Sequence, residues 1–315
     1  MEKTEQQAIL AIALMAAFAD GAKGDRERAA IKRIADGLAR DAAFDVPALY
    51  QDVLLKRRSL AETARALASP ETRQLAFEMA VCVCDADDVQ SEPERAFLDG
   101  LRRELGLDAG AAAAFTRAAE EVAAAPLPVP APAGRVVAAQ APDAAALDKS
   151  ILNYAILNGA LELLPQSLAS MAIIPLQMKM VYGIGRAHGY ELDRGHIRDF
   201  LATLGVGLTS QYVEEIGRKL VGGLLRKVGG RMLGGLGSGA TGAAFSFATT
   251  YALGHVARQY YASGRTLDGN KLKAAFASLL ADAKGLQTRY AGEIEQRAKT
   301  IDVAQLASLV KSQSV

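Results

Sequence analysis

Two stretches of this chain repeat one another sixty-seven residues apart. Phe18 to Ile31 reads FADGAKGDRERAAI and Asp85 to Leu98 reads DADDVQSEPERAFL. Aligned, Asp20 matches Asp87, Glu27 matches Glu94, Arg28 matches Arg95 and Ile31 matches Leu98. In each copy an apolar segment leads into an acidic turn, and apolar residues then return at helical spacing. Ile9, Ile12, Ala13 and Ala16 share one helical face, as do Ile31, Ile34 and Leu38, and Leu75, Met79 and Cys82. No stretch alternates with period two. The chain is therefore expected to be all-α, and its first part a bundle of about six to eight short helices in two related halves.

Ala123 to Ala146 reads AAAPLPVPAPAGRVVAAQAPDAAA and holds five of the chain's ten prolines. Alternating proline and alanine favour extended polyproline conformation and build no core. The segment reads as a semi-rigid linker over residues 123–146, between a helical bundle at 1–122 and a second, glycine-rich helical domain at 147–315. Charge divides at the same place. Residues 147–315 carry 19 Lys+Arg against 12 Asp+Glu, net +7, and residues 1–146 carry 17 against 23, net −6. Opposite charge points to different partners for the two parts, with an anionic surface for the second. The excess is modest and lacks an aromatic-basic platform, so no nucleic-acid partner is expected.

The opening MEKTEQQAILAIALMAAFAD has the apolar run of an export signal, but Glu2 and Glu5 outweigh Lys3 where a signal is basic. It reads as a helix of a cytoplasmic protein. Cys82 and Cys84 fall in the apolar MAVCVCDA; on a helix they diverge by about 200°, and they read as buried small hydrophobes.

The paired turns resemble those of the TerB-like domain of tellurite-resistance proteins, over most of residues 5–120. ADGAKGDRER fits the family pattern well; in the second copy Asp88 stands where glycine is usual. The resemblance implies a bacterial stress-response role and a carboxylate cluster, Asp20, Asp85, Asp87 and Asp88, able to hold a divalent cation. Oxygen ligands suit calcium, magnesium or manganese. The same residues also read as helix punctuation: Ser91 and Glu94 have capping-box spacing, and Asp-Gly is a common turn. Ala96 falls where an EF-hand loop starting at Asp85 requires glutamate.

In the second half, Tyr212 to Leu236 reads YVEEIGRKLVGGLLRKVGGRMLGGL. Ile216, Leu220, Leu224 and Val228 form an apolar stripe, and Arg218, Lys219, Arg226, Lys227 and Arg231 add five positive charges with no acid after Glu215. This is the pattern of a membrane-binding amphipathic segment. Met232 to Ala257 then carries no Lys, Arg, Asp or Glu and is long enough to span a bilayer. Ile151 to Met178 is broken by Glu162, Pro165 and Pro175 and reads instead as two helices meeting at a prolyl break. Glycine costs about 1 kcal/mol relative to alanine in an exposed helix. The alternative is thus a soluble bundle whose glycines allow close helix crossings.

LQMKMVYGIGRAHGYEL (Leu176–Leu192) and GSGATGAAFSFATTYALGHVARQYYASGRTLD (Gly237–Asp268) resemble the domain of unknown function in YcjF-type membrane proteins, over roughly 150–285. Gln177, Met180, Gly183, Thr250, Tyr251, Gly254 and Tyr260 fall where that family places such residues. The resemblance implies association with the inner membrane or with a small GTPase. No G-x-x-x-x-G-K-[ST], G-x-S-x-G or H-E-x-x-H occurs, so any GTPase is a partner and no catalytic residue is expected. His188 and His196 flank GYELDRG, where Asp193 reads equally as a metal ligand or a helix start. The expected protein is a non-enzymatic stress-response or envelope protein at the cytoplasmic face of the inner membrane. It joins a TerB-like sensor or interaction module to a membrane-binding one. The alternative is a soluble adaptor docking a GTPase or stress complex.

Overall fold

The structure is a computed structural model that describes residues 2–21, 31–32, 35–36, 44–87, 90–123, 143–164, 167–204, 213, 216–217 and 239–312. The fold is all-α, with no strand among the described residues. Two compact units divide the chain. The first contains Met1–Ala124, Pro165–Met171 and Gly207–Gly239, and the second contains Ala125–Leu164, Ala172–Val206 and Ala240–Val315.

In the first unit, α1 spans Lys3–Ala17, α2 Val46–Leu54, α3 Leu60–Arg65, α4 Pro70–Cys84, α5 Glu92–Leu105 and α6 Ala109–Ala123. Local chemistry sets their starts. Ser69 caps α4, accepting the Thr72 amide at 3.1 Å, and Pro70 follows at the first helical position, where its missing N–H costs nothing. Ser91 caps α5: its Oγ accepts the Glu94 amide, while Glu94 Oε2 accepts the Ser91 amide at 2.8 Å. This is the capping box expected there. Gly106, at φ +65°, ends α5 in the left-handed region that favours glycine.

α1 and α4 pack along one another and form the centre of this unit. Ile9, Leu10, Ile12 and Leu14 are fully buried, and Leu75, Met79, Cys82 and Cys84 are buried with them. Both cysteines are buried thiols. The Thr72 hydroxyl donates to Glu5 Oε1 at 3.1 Å, which joins the first turn of α4 to the first turn of α1. The two helices therefore run parallel and in the register of the sequence repeat, since Glu5 and Thr72 are also sixty-seven residues apart. A short helix, α7 (Ser167–Met171), packs on α4 and α6. The Ser167 hydroxyl donates to Glu78 Oε2 at 2.8 Å.

The second unit is built on α8 (Ala144–Glu162), α9 (Ile173–Ala187), α10 (Arg194–Thr203), α11 (Gly239–Ala262), α12 (Gly269–Thr300) and α13 (Leu306–Ser312). Asp143 and Asp268 cap α8 and α12 by accepting first-turn amides. α8 packs against α9 and α12, and α11 meets both α8 and α9 at small residues. A Cβ on Gly159 of α8 would lie 3.2 Å from the Ala243 carbonyl of α11, and one on Gly254 of α11 only 2.7 Å from Ile151 of α8. Phe247 packs beside the Gly159 crossing, and Tyr154 is fully buried in the same unit.

The break expected in Ile151–Met178 lies between α8 and α9. Pro175, however, is not its cause: it sits in the first turn of α9, where no intrahelical amide is lost. Pro165 lies outside the described residues. Among those residues one stretch, Ser167–Ala187, is long and apolar enough to cross a membrane, and 83% of its 18-residue apolar window is buried inside the protein.

Candidate functional site

Of the four candidate aspartates, Asp20, Asp85 and the backbone of Asp87 fall on the turns that follow α1 and α4. Because the helices run parallel, both turns lie at the same end of the first unit. Asp20 is half-buried in the turn Phe18–Gly21, where the Gly21 amide donates to the Phe18 carbonyl at 3.2 Å and Gly21 takes φ +66°. That left-handed conformation is the reason for glycine in the first copy. Asp85 is buried and opens the 3-10 turn Asp85–Asp87. Its Oδ1 accepts from Gln90 Nε2 at 2.7 Å, and the Gln90 carbonyl accepts from Arg95 Nη1 at 2.8 Å.

Arg95, matched to Arg28 by the repeat, thus braces the second acidic turn from the first two turns of α5. Gln90 belongs to this arrangement and has no counterpart in the pattern that flagged the turn. The side chain of Asp87 and all of Asp88 lie outside the described residues. Among the described residues no group of three or more His, Cys, Asp or Glu side chains is placed to hold a metal ion. Calcium takes six to eight oxygens, so completing a cation site rests on Asp87, Asp88 and backbone carbonyls. Glu94 is committed to its capping box.

The helix ends add a field of their own to these turns. The C-terminus of each helix carries the negative end of its macrodipole. Two parallel helix ends place two such poles together, with carboxylates beside them. At the opposite end the carboxylate is provided for. Glu5 accepts from the Glu2 amide and the Thr72 hydroxyl, and these bonds, led by the one from Glu2, hold its pKa below the usual value.

The second unit contains a line of buried polar side chains that sequence patterns did not predict. Asn158 Nδ2 of α8 and Gln177 Nε2 of α9 both donate to the Thr250 hydroxyl of α11, each at 3.0 Å. The Ser246 hydroxyl donates to the buried Glu162 at 3.2 Å. Lys179, 3% exposed, donates from Nζ to the carbonyls of Val310 and Lys311 at 2.8 Å each, and burial pulls its pKa down. It caps the end of α13 with a charge matched to the dipole. These bonds fix four helices in rotation and register, since a buried polar group without its partner costs about 1–3 kcal/mol.

Nearer the other end of α11, Arg258 pairs with Asp148 of α8, and His255 Nδ1 lies 3.7 Å from the same carboxylate. His255 packs against Tyr251, with ring centroids 4.3 Å apart and planes tilted by 50°. Its Nε2 is buried without a hydrogen-bond partner. Burial, then the nearby Arg258, pushes the His255 pKa down against the pull of Asp148. His188, just past α9, has the same buried and unpartnered Nε2 and is lowered by the same two causes. Both imidazoles are therefore neutral near pH 7. Asp193 is a helix start: its Oδ1 accepts the His196 amide at 2.9 Å and meets His196 Nδ1 at 2.8 Å.

Arg218, Lys219, Arg226, Lys227 and Arg231 lie outside the described residues. Of the apolar stripe beside them, Ile216 is described and is buried.

Residues 1–119 match DUF533, a protein family of unknown function. DUF533 is a TerB-like family, so the N-terminal part of the chain is TerB-like, as its paired acidic turns led one to expect. No curated protein and no solved structure matches the chain.

Proposed function

We propose that this is a non-enzymatic bacterial envelope or stress-response protein, in which a TerB-like sensing or interaction module is tethered to a helical module that binds the cytoplasmic face of the inner membrane. The observation that carries the reading is the join itself. A TerB-like region, net acidic, is followed by a basic, glycine-rich region whose motifs resemble the YcjF-type domain. The long apolar stretch Ser167–Ala187 is mostly used up in packing. Membrane contact then falls to Arg218, Lys219, Arg226, Lys227 and Arg231, each contributing about 1 kcal/mol near anionic lipid.

The full chain should float with anionic vesicles and bind neutral ones less. Changing the five basic residues to glutamine should release it from the anionic vesicles while leaving its melting temperature unchanged. A wild-type chain that stays soluble with both vesicle types at low salt would sink the membrane reading. It would favour the alternative, a soluble adaptor docking a small GTPase or stress complex. The packing of the second unit supports that alternative, because Gly242 of α11 meets Glu162 and Gly254 meets Ile151 and Met180, protein rather than lipid.

A further inference from the structure

The end of α11 and the face of α10 enclose a cavity of about 130 Å3 within the second unit. Its floor is apolar and buried: Phe200, Tyr261 and Leu272. Its rim is exposed and polar, with His196, Asp199 and Arg265. At roughly 30 Å3 per water the space holds about four waters, the size of a small headgroup and too little for a nucleotide.

Arg265 is the unusual member. It follows Gly264 in a second successive left-handed position, φ +63°, while its amide donates to the Tyr260 carbonyl at 2.9 Å. A residue with a Cβ is strained there by about 1 kcal/mol or more, and glycine or asparagine would fit the backbone better. The side chain is held by aromatic groups. Its guanidinium sits 5.9 Å from the Tyr190 ring centroid and 6.0 Å from that of Tyr260, within cation–π range. Its Nε donates to Tyr260 Oη at 3.4 Å. Phe200 stacks on Tyr260, centroids 5.2 Å apart, and fixes that ring.

No carboxylate among the described residues pairs with Arg265. Asp268, the aspartate nearest in sequence, is spent on the start of α12. The Nη fork, which matches an oxyanion in shape, is left to an outside partner. The Tyr261 phenol, its pKa pushed up to about 12 by burial, stays protonated beside it. Asp199 adds an acceptor to the rim, so the cavity favours an anion that also carries a donor.

We propose that this cavity binds a small phosphate ester bearing a hydroxyl or ammonium arm, with the phosphate on the Arg265 fork, the arm toward Asp199 and the aromatic floor excluding water. Such a group exists free in solution and as a phospholipid headgroup. The full chain should be titrated calorimetrically with glycerol 3-phosphate and with phosphoethanolamine, and tested for flotation on vesicles of phosphatidylglycerol against phosphatidylcholine. Two variants serve: Arg265→Gln, and Arg265→Gly, which removes the charge while relieving the backbone.

Arg265→Gly should melt at or above the wild-type temperature and still lose about tenfold or more in affinity. Loss confined to the soluble esters identifies a free ligand, and loss confined to vesicles identifies a headgroup. The site is overturned if the wild type shows no saturable binding to the esters and its vesicle binding is unchanged in both variants. It is equally overturned if Arg265→Gly binds every probe within about twofold of wild type. The five-glutamine variant leaves Arg265 in place, so failure of the basic segment and failure of this cavity are read separately.

Discussion

Single residues decide how closely the helices of the second unit approach. Gly254 has a helical φ, so its missing side chain answers to space alone. A Cβ there would lie 2.7 and 2.8 Å from Ile151 Cγ2 and Cγ1 and 3.1 Å from Met180 Sδ, which pins α11 between α8 and α9. Gly254→Ala must push Ile151 off its rotamer or part the helices, and should cost about 1–3 kcal/mol as overpacking. Gly292, by contrast, meets nothing within 4 Å, so Gly292→Ala should stabilise slightly through helix propensity. Urea denaturation of the two variants measures the contrast. Equal effects would mean that Gly254 is not a packing glycine. The sequence shows that glycines are dense; which of them are crossings depends on the partner helix.

At the scale of elements, the repeat is expressed as two parallel helices whose acidic turns share one end. The resulting prediction is linkage: a ligand that binds only the folded chain raises its stability. Calcium, magnesium or manganese should raise the melting temperature of the full chain, and Asp20→Asn with Asp87→Asn should abolish the shift. Absence of any shift in the wild type would reject the site, and an equal shift in the double variant would place the cation elsewhere. The capping boxes were legible because they are local: Ser91 and Glu94 carry their partners within one turn. Gln90 was not, since its role depends on where the 3-10 turn aims Asp85.

Across the whole molecule, the imidazoles of His255, buried, and His188, half-buried, couple stability to pH. His255 and His188 have folded pKa values below the ordinary 6.5, so the unfolded chain takes up their protons first. Their contribution is fully present above about pH 6.5 and is lost as pH falls below it toward the folded values. Glu5, also lowered, adds a second loss below its ordinary 4.5. The melting temperature should therefore begin to fall between neutral pH and pH 5, by about 2–4 °C for each kcal/mol lost. His255→Gln should flatten that upper window and leave the lower one. A profile flat from neutral pH to pH 5 in the wild type would contradict the lowered pKa values of both rings.

What the sequence determined by itself was whatever is encoded within a few turns or by repetition: the all-α class, the helix start at Ser91, the paired acidic turns and the TerB-like likeness of the first part. Periodicity, capping and repetition are local properties that need no knowledge of neighbours. Only the tertiary structure decided that α1 and α4 run parallel, that Lys179 caps α13, that Asp148 meets Arg258 and His255, and that Asn158 and Gln177 converge on Thr250. Those pairs are separated by tens to more than a hundred residues. A buried polar group is stable wherever a partner reaches it, and the sequence carries no local mark of which distant residue the packing will bring.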